Sequence, residues 1–262
     1  MAVIAVVVGF VALGQASSSS PNPLPTSDQA VPATVLAAVT NPRPQVLSAV
    51  GDGHVTDPLH LLPAGPMERG SDGKPLLLYL GADYCPFCAA ERWSLVAALS
   101  RFGTFSNLHL MTSSSNDVFP DTNTFTFAGS SYSSPYLDFQ AVETETRDRQ
   151  PLQTPDATQQ HLLETYDVPP YTSQTGGIPF LDFGNQLVAA SSGYSPGLLQ
   201  GMSWERIAAQ LGAAASPQTQ GILGNANWLT AGICRMTGNQ PAALCTSAPI
   251  PALEAQLGGS SP

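Results

Sequence analysis

The chain has 262 residues, 43% of them apolar and only 11% charged. That suffices for one sizeable α/β domain with additions, or two small ones, with a surface built mainly from neutral polar residues. Nineteen acidic against nine basic residues give a net charge of −10 with no run of Lys or Arg, which excludes nucleic acid and anionic lipid surfaces as partners.

Ala2 to Gly14 (AVIAVVVGFVALG) contains no charged or polar side chain. It is shorter than the about 20 residues that a ~30 Å hydrocarbon core requires. It suits the apolar region of a signal peptide, with Gly14-Gln15-Ala16 as a small-x-small cleavage site, although basic residues ahead of it are missing. The other reading, and the favoured one, is a trimmed transmembrane anchor that tethers the rest of the chain. A buried core helix is disfavoured, because Ser17-Ser18-Ser19-Ser20 and a Pro-rich stretch follow directly. We read residues 1–14 as an anchor or signal segment, and residues 15–30 as a Ser/Pro-rich linker. The rest, 31–262, is then a single domain outside the cytoplasm, at the cell membrane or secreted, with the N-terminal segment its only membrane contact.

Val31 to Val50 carries a helical pattern interrupted at Asn41-Pro42-Arg43-Pro44, and an irregular lead-in runs on to Gly73. Pro75 to Gly81 (PLLLYLG) is the apolar run of a strand covered on both faces. Asp83-Tyr84 and then Cys85-Pro86-Phe87-Cys88 follow, and Ala89 to Phe102 has helical spacing ended by Gly103. Asn107 to Thr112 reads as the next strand. Residues 113–156 read as a β-rich insertion, with alternation at Thr124 to Phe127 and Leu137 to Val142. Ala157 to Tyr166 is expected to be a helix. Ile178 to Phe183 and Gln186 to Ala190, joined by Gly184-Asn185, give a hairpin. Ser203 to Leu211 opens with a Ser cap, and a C-terminal helical extension runs from about Gln218 to Met236, before the loop holding Cys245.

A Cys-x-x-Cys serves zinc sites as well as redox sites. Here the first Cys follows a buried strand, and Pro86 suits the first turn of the next helix. Cys85 therefore stands at a helix N-terminus, where unpaired N–H groups and the helix dipole favour thiolate. Cys88, one turn on, is placed to resolve a mixed disulfide. No second ligand pair at zinc spacing exists, His54, His60, His109 and His161 show no ligand pattern, and neither a metal nor another cofactor is expected. Gly176-Gly177-Ile178-Pro179 stands where the thioredoxin fold places a cis-proline opposite its CxxC. There Ile178 would offer backbone groups to an extended substrate peptide; the plainer reading is a proline at a strand start. Asp83 and Glu91 flank the motif. One of them is a candidate proton acceptor for the buried thiol; alternatively Asp83 is a loop residue and Glu91 pairs with Arg92 or faces water. Trp93 is expected in the core. Cys234 and Cys245 close a short loop, read as a structural disulfide ahead of a relay to Cys85/Cys88.

The block from Gly81 to Gly103, with its CPFC centre, resembles a prokaryotic membrane-anchored thioredoxin-like family catalogued as domain of unknown function 929. The Ile178 to Asp182 strand and the Cys234/Cys245 pair resemble it too, so the likeness spans roughly Val50 to Ala248. The Pro-Phe dipeptide is also similar to the centres of glutaredoxins and bacterial disulfide-bond proteins. The resemblance implies a thioredoxin-like α/β fold, a central mixed sheet flanked by helices, and an extracytoplasmic site, and it supplies no substrate. The expected activity is thiol–disulfide exchange on exported proteins with thiols or disulfides, oxidase or isomerase ahead of reductase, with a membrane redox partner as a further candidate. Two alternatives stand: a non-catalytic protein-binding module with inert cross-links, and a metal carrier using the CxxC thiolates.

Overall fold

The structure is a computed structural model describing residues 29–257, so the expected anchor and nearly all of the linker lie outside it. Two short helices, α1 (Ala33–Thr40) and α2 (Pro44–Val50), lead in, separated by the Asn41 to Arg43 break. The lead-in contributes one strand, β1 (His60–Leu61), before β2 (Leu76–Gly81), with every residue of β2 buried. Helix α3 (Pro86–Leu99) follows, then β3 (Thr104–Ser106), β4 (His109–Thr112), β5 (Asn123–Thr126), β6 (Ser131–Ser133) and β7 (Asp138–Glu143). Next come α4 (Ala157–Tyr166), the hairpin of β8 (Phe180–Phe183) and β9 (Leu187–Ala189), and α5 (Trp204–Gln210). The chain closes with α6 (Pro217–Met236), α7 (Ala242–Cys245) and α8 (Ile250–Leu257).

The main sheet is mixed, in the order β1-β9-β8-β2-β7. β2 runs parallel to β7 and antiparallel to β8. Helices flank it. The period of two along β2 decides what each face touches: Leu77 and Tyr79 pack into the larger core with α3 and α6, whereas Leu76, Leu78 and Leu80 join Leu162 of α4. Local chemistry fixes the helix starts. Asp156 and Gln159 form a capping box on α4, and the Ser203 and Ser216 side chains cap α5 and α6.

One placement is fixed only by the structure, and another differs from the sequence reading. The strand read at Asn107 to Thr112, β4, lies outside the main sheet; it pairs with β5, and Phe125 of that hairpin packs on Trp93 of α3 with ring centroids 4.5 Å apart. The parallel neighbour of β2 is instead β7, inside the 113–156 segment expected to be an insertion. A short apolar strand pattern cannot distinguish these destinations, and β7, half-buried over its first four residues, lies at the edge of the sheet.

α6, twenty residues long, is buried along nearly its whole length between α2, α3 and α8. Its backbone crosses the lead-in so closely that a Cβ on Gly224 would stand 2.4 Å from the Cα of Gly53. Among the described residues no helix is long and apolar enough to cross a membrane.

Candidate functional site

β2 delivers the chain to the buried end of the sheet, and the turn after it ends at Cys85, the N-cap of α3, with Pro86 in the first turn. The Cys85 sulfur accepts the Cys88 backbone N–H at 3.2 Å. This is the capping bond that the first helical turn leaves open. Cys85 is 4% exposed and Cys88 fully buried, both as free cysteines. From the opposite side, the Ile178 carbonyl lies 3.8 Å from the Cys85 sulfur, and the Ile178–Pro179 peptide is cis. Phe87 points outward and meets Phe119 edge to face, centroids 5.8 Å apart.

The two thiols are pushed apart. Hydrogen bonding from Cys88, through its side chain and its backbone N–H, lowers Cys85 below the ordinary thiol value against the effect of burial. The positive charge of Arg92 and the Phe87 N–H add to this. Burial, followed by the Cys85 sulfur and the charge of Glu143, drives Cys88 well upward. Opposed shifts in neighbouring titratable groups are how one site separates a nucleophile from its partner.

Behind Cys88 is a polar cluster that the sequence reading missed. Arg92, fully buried on α3, makes a two-point pair with Glu143 at the end of β7 (2.8 and 2.6 Å) and donates to Ala82 O at 2.8 Å. Asp83 is a loop residue, in the turn before α3, but a buried one; it lies 3.6 Å from the guanidinium and has its pKa raised to about 7 by burial and by the Glu143 charge. Tyr79 reaches the same place from β2, with Arg92 6.0 Å from its ring centroid. Gly81 is what lets them meet: a Cβ there would lie 2.2 Å from the Tyr79 hydroxyl and 3.1 Å from the Cys88 sulfur. One signal was available. Arg92 stands inside an apolar helix of a charge-poor chain, and so does Glu91.

Glu91 neither pairs with Arg92 nor faces water. It is fully buried on the α6 side, where it accepts from Asn225 Nδ2 at 2.7 Å; the same amide also reaches Ser192 O. Burial holds its pKa well above the ordinary value, with the Asn225 bond opposing. It ties the helix of the thiols to the C-terminal extension instead of serving them. Trp93 is core, its Nε1 donating to Asn123 O. Cys234 and Cys245 form a disulfide that fastens α7 to the end of α6, both residues buried. Among the described residues no group of three or more His, Cys, Asp or Glu is placed to hold a metal ion.

Two features rim the dithiol. Arg149 stacks 3.8 Å over Tyr84 and pairs with Asp117, while Arg147 pairs with Asp121. On the other side of Ile178 is an apolar cavity of about 390 Å³, lined by Leu80, Leu163, Val168 and Ile178, with Glu164 and Asp167 at its edge.

A mixed α/β domain with two thiols of opposed acidity at the start of a buried helix is therefore the class that fold and site define. Residues 62–175 match the family described as Domain of unknown function (DUF929). The match contains the CPFC motif, Asp83, Glu91, Arg92 and Glu143, and it ends before the Ile178–Pro179 hairpin and the Cys234–Cys245 disulfide. No curated protein and no solved structure shows a significant match to the chain.

Proposed function

We propose that this chain is a thioredoxin-like thiol–disulfide oxidoreductase that acts outside the cytoplasm on exported proteins through Cys85 and Cys88. The observation that carries the reading is the opposed shift of two thiols one helical turn apart, with Cys85 the acidic member. The Cys85 thiol donates to the Ile178 carbonyl at 3.8 Å, beside which an extended substrate strand would lie.

In the oxidising direction a substrate thiolate attacks the Cys85 sulfur of the Cys85–Cys88 disulfide. The Cys85–Cys88 bond breaks, a substrate–Cys85 disulfide forms, and Cys88 leaves as thiolate and takes up a proton. A second substrate thiolate then attacks the substrate sulfur of that mixed disulfide. Cys85 leaves, the substrate gains its disulfide, and the protein holds both electrons as a dithiol. A stabilised Cys85 thiolate favours the dithiol form, hence oxidase or isomerase over reductase, with a membrane redox partner to remove the electrons. Asp83, its carboxyl held at about 7, is the base matched to the proton of Cys88.

The test is an equilibrium titration of Cys85/Cys88 in glutathione buffers, read by alkylation. A potential toward about −120 mV marks a disulfide donor, and one near about −270 mV a reductant. A pair that no buffer in this range opens or closes defeats the redox reading and leaves a binding domain.

A further inference from the structure

Tyr79 is an unusual residue to find where it is. It is fully buried on a strand that is otherwise Leu and Gly, and its hydroxyl has no hydrogen-bond partner among the described residues. A buried hydroxyl left unpaired is costly, and phenylalanine would fill the same space without that penalty. The ring is held by Phe127, edge to face at 5.2 Å, and by Arg92 on α3. The hydroxyl ends 2.2 Å from the point where a Cβ on Gly81 would stand, and the Cys88 sulfur lies 3.1 Å from the same point.

We propose that the Tyr79 hydroxyl is the hydrogen-bond donor to the Cys88 sulfur when that sulfur carries negative charge, as attacking or as leaving thiolate. The inference rests on the redox reading above. Around Cys88, Cys85 stands at the N-cap of α3, Arg92 comes from α3, Glu143 from β7 and Tyr79 from β2. Glu143 and Cys85 oppose the charge on Cys88, whereas Arg92 favours it, with its Nε and Nη2 engaged by Glu143 and Ala82 O and its Nη1 unpaired. The Tyr79 hydroxyl is likewise unpaired, and it is the donor that shares the space beside Gly81 with the Cys88 sulfur. Burial raises its own pKa far above neutrality, so it keeps its proton. In the resolving step the Cys88 S–H first gives its proton to a base. The Cys88 thiolate, bonded by Tyr79, attacks the Cys85 sulfur of a mixed disulfide. The Cys85–Cys88 bond forms, and the outer sulfur departs with the electron pair. Tyr79 changes neither its bonds nor its redox state.

The experiment treats the reduced protein with an aromatic disulfide that releases a coloured thiolate. The first equivalent is released when Cys85 is captured, the second when Cys88 resolves the adduct. In Tyr79→Phe the first release is expected unchanged and the second slowed roughly tenfold near neutral pH, since a hydrogen bond to a charged group is lost. The deficit closes as pH is raised until Cys88 ionises in both proteins. A second release equally fast in Tyr79→Phe, or a slowing that does not depend on pH, overturns the role of Tyr79 while leaving the redox reading intact. A native protein that releases one equivalent only overturns both. Tyr79→Phe removes an unpaired hydroxyl and no packing, so it folds; its melting temperature, expected equal to the native value or higher, confirms this.

Discussion

Arg92 and Glu143 come from elements about fifty positions apart in the sequence and meet in a two-point ion pair from which water is excluded: both side chains are fully buried. The pair joins the helix that starts at the thiols to the strand that flanks β2. Burying two charges gains little by itself, because desolvation offsets the attraction, but removing one partner strands the other.

Glu143→Gln is accordingly expected to cost about 3–5 kcal/mol of stability, as is Arg92→Met. The double change to Met and Leu should recover most of that loss. Denaturant midpoints of the three variants check this. The double variant should also lose the Arg92 contribution to the acidity of Cys85, seen as slower alkylation of Cys85 near neutral pH.

The roles of the thiols separate by substitution. Cys85→Ser should abolish reaction with aromatic disulfides. Cys88→Ser should keep the first step and accumulate a mixed disulfide with substrate that only external thiol removes. A non-reducing gel of the two variants, expressed with exported proteins present, distinguishes these outcomes. Equal adduct formation by both variants would contradict the assignment of Cys85 as the attacking sulfur.

Stability should fall as pH rises from about 4 to 7. Burial raises Asp182 from 3.8 to about 7, and Asp167 is raised to about 6. A carboxyl with a raised folded pKa stabilises fully below its unfolded value, and the contribution disappears as pH climbs through the folded one. The melting temperature should drop by several degrees over this window. Asp182→Asn keeps an acceptor for the Asn185 N–H at 2.8 Å and should flatten the slope. A profile as steep in Asp182→Asn as in the native chain would exclude Asp182 as a source.

Breaking Cys234–Cys245 with paired Ala substitutions frees a loop of sequence separation 11. The chain-entropy effect gives a loss of about 3 kcal/mol. Alkylation of Cys85 and the rates of both release steps should not change. A slower second step in that variant would reveal electron exchange between the two pairs.

Much of this architecture is legible along the chain, for reasons particular residues make plain. The uninterrupted apolar run of β2, the Gly184-Asn185 turn and the Ser and Asp caps each act locally, so their pattern survives in sequence. Cys85 at a helix start is of the same kind. What was not legible depends on where distant segments land. Nothing around His109 says that β4 pairs with β5 rather than with β2, and nothing near Glu143 says that it meets Arg92. Tyr79 reads as one more apolar strand residue until its hydroxyl is located beside Cys88.

β2 is covered on both faces and hydrogen-bonded along both edges, by β7 on one side and β8 on the other. Its amide protons therefore belong to the segment that exchanges with solvent only when the whole domain opens. Cys85 is attached to the end of that segment by three residues, Ala82 to Tyr84. On heating, the dithiol should keep its reactivity up to the cooperative transition and then lose it all at once, with no earlier local melting of the site.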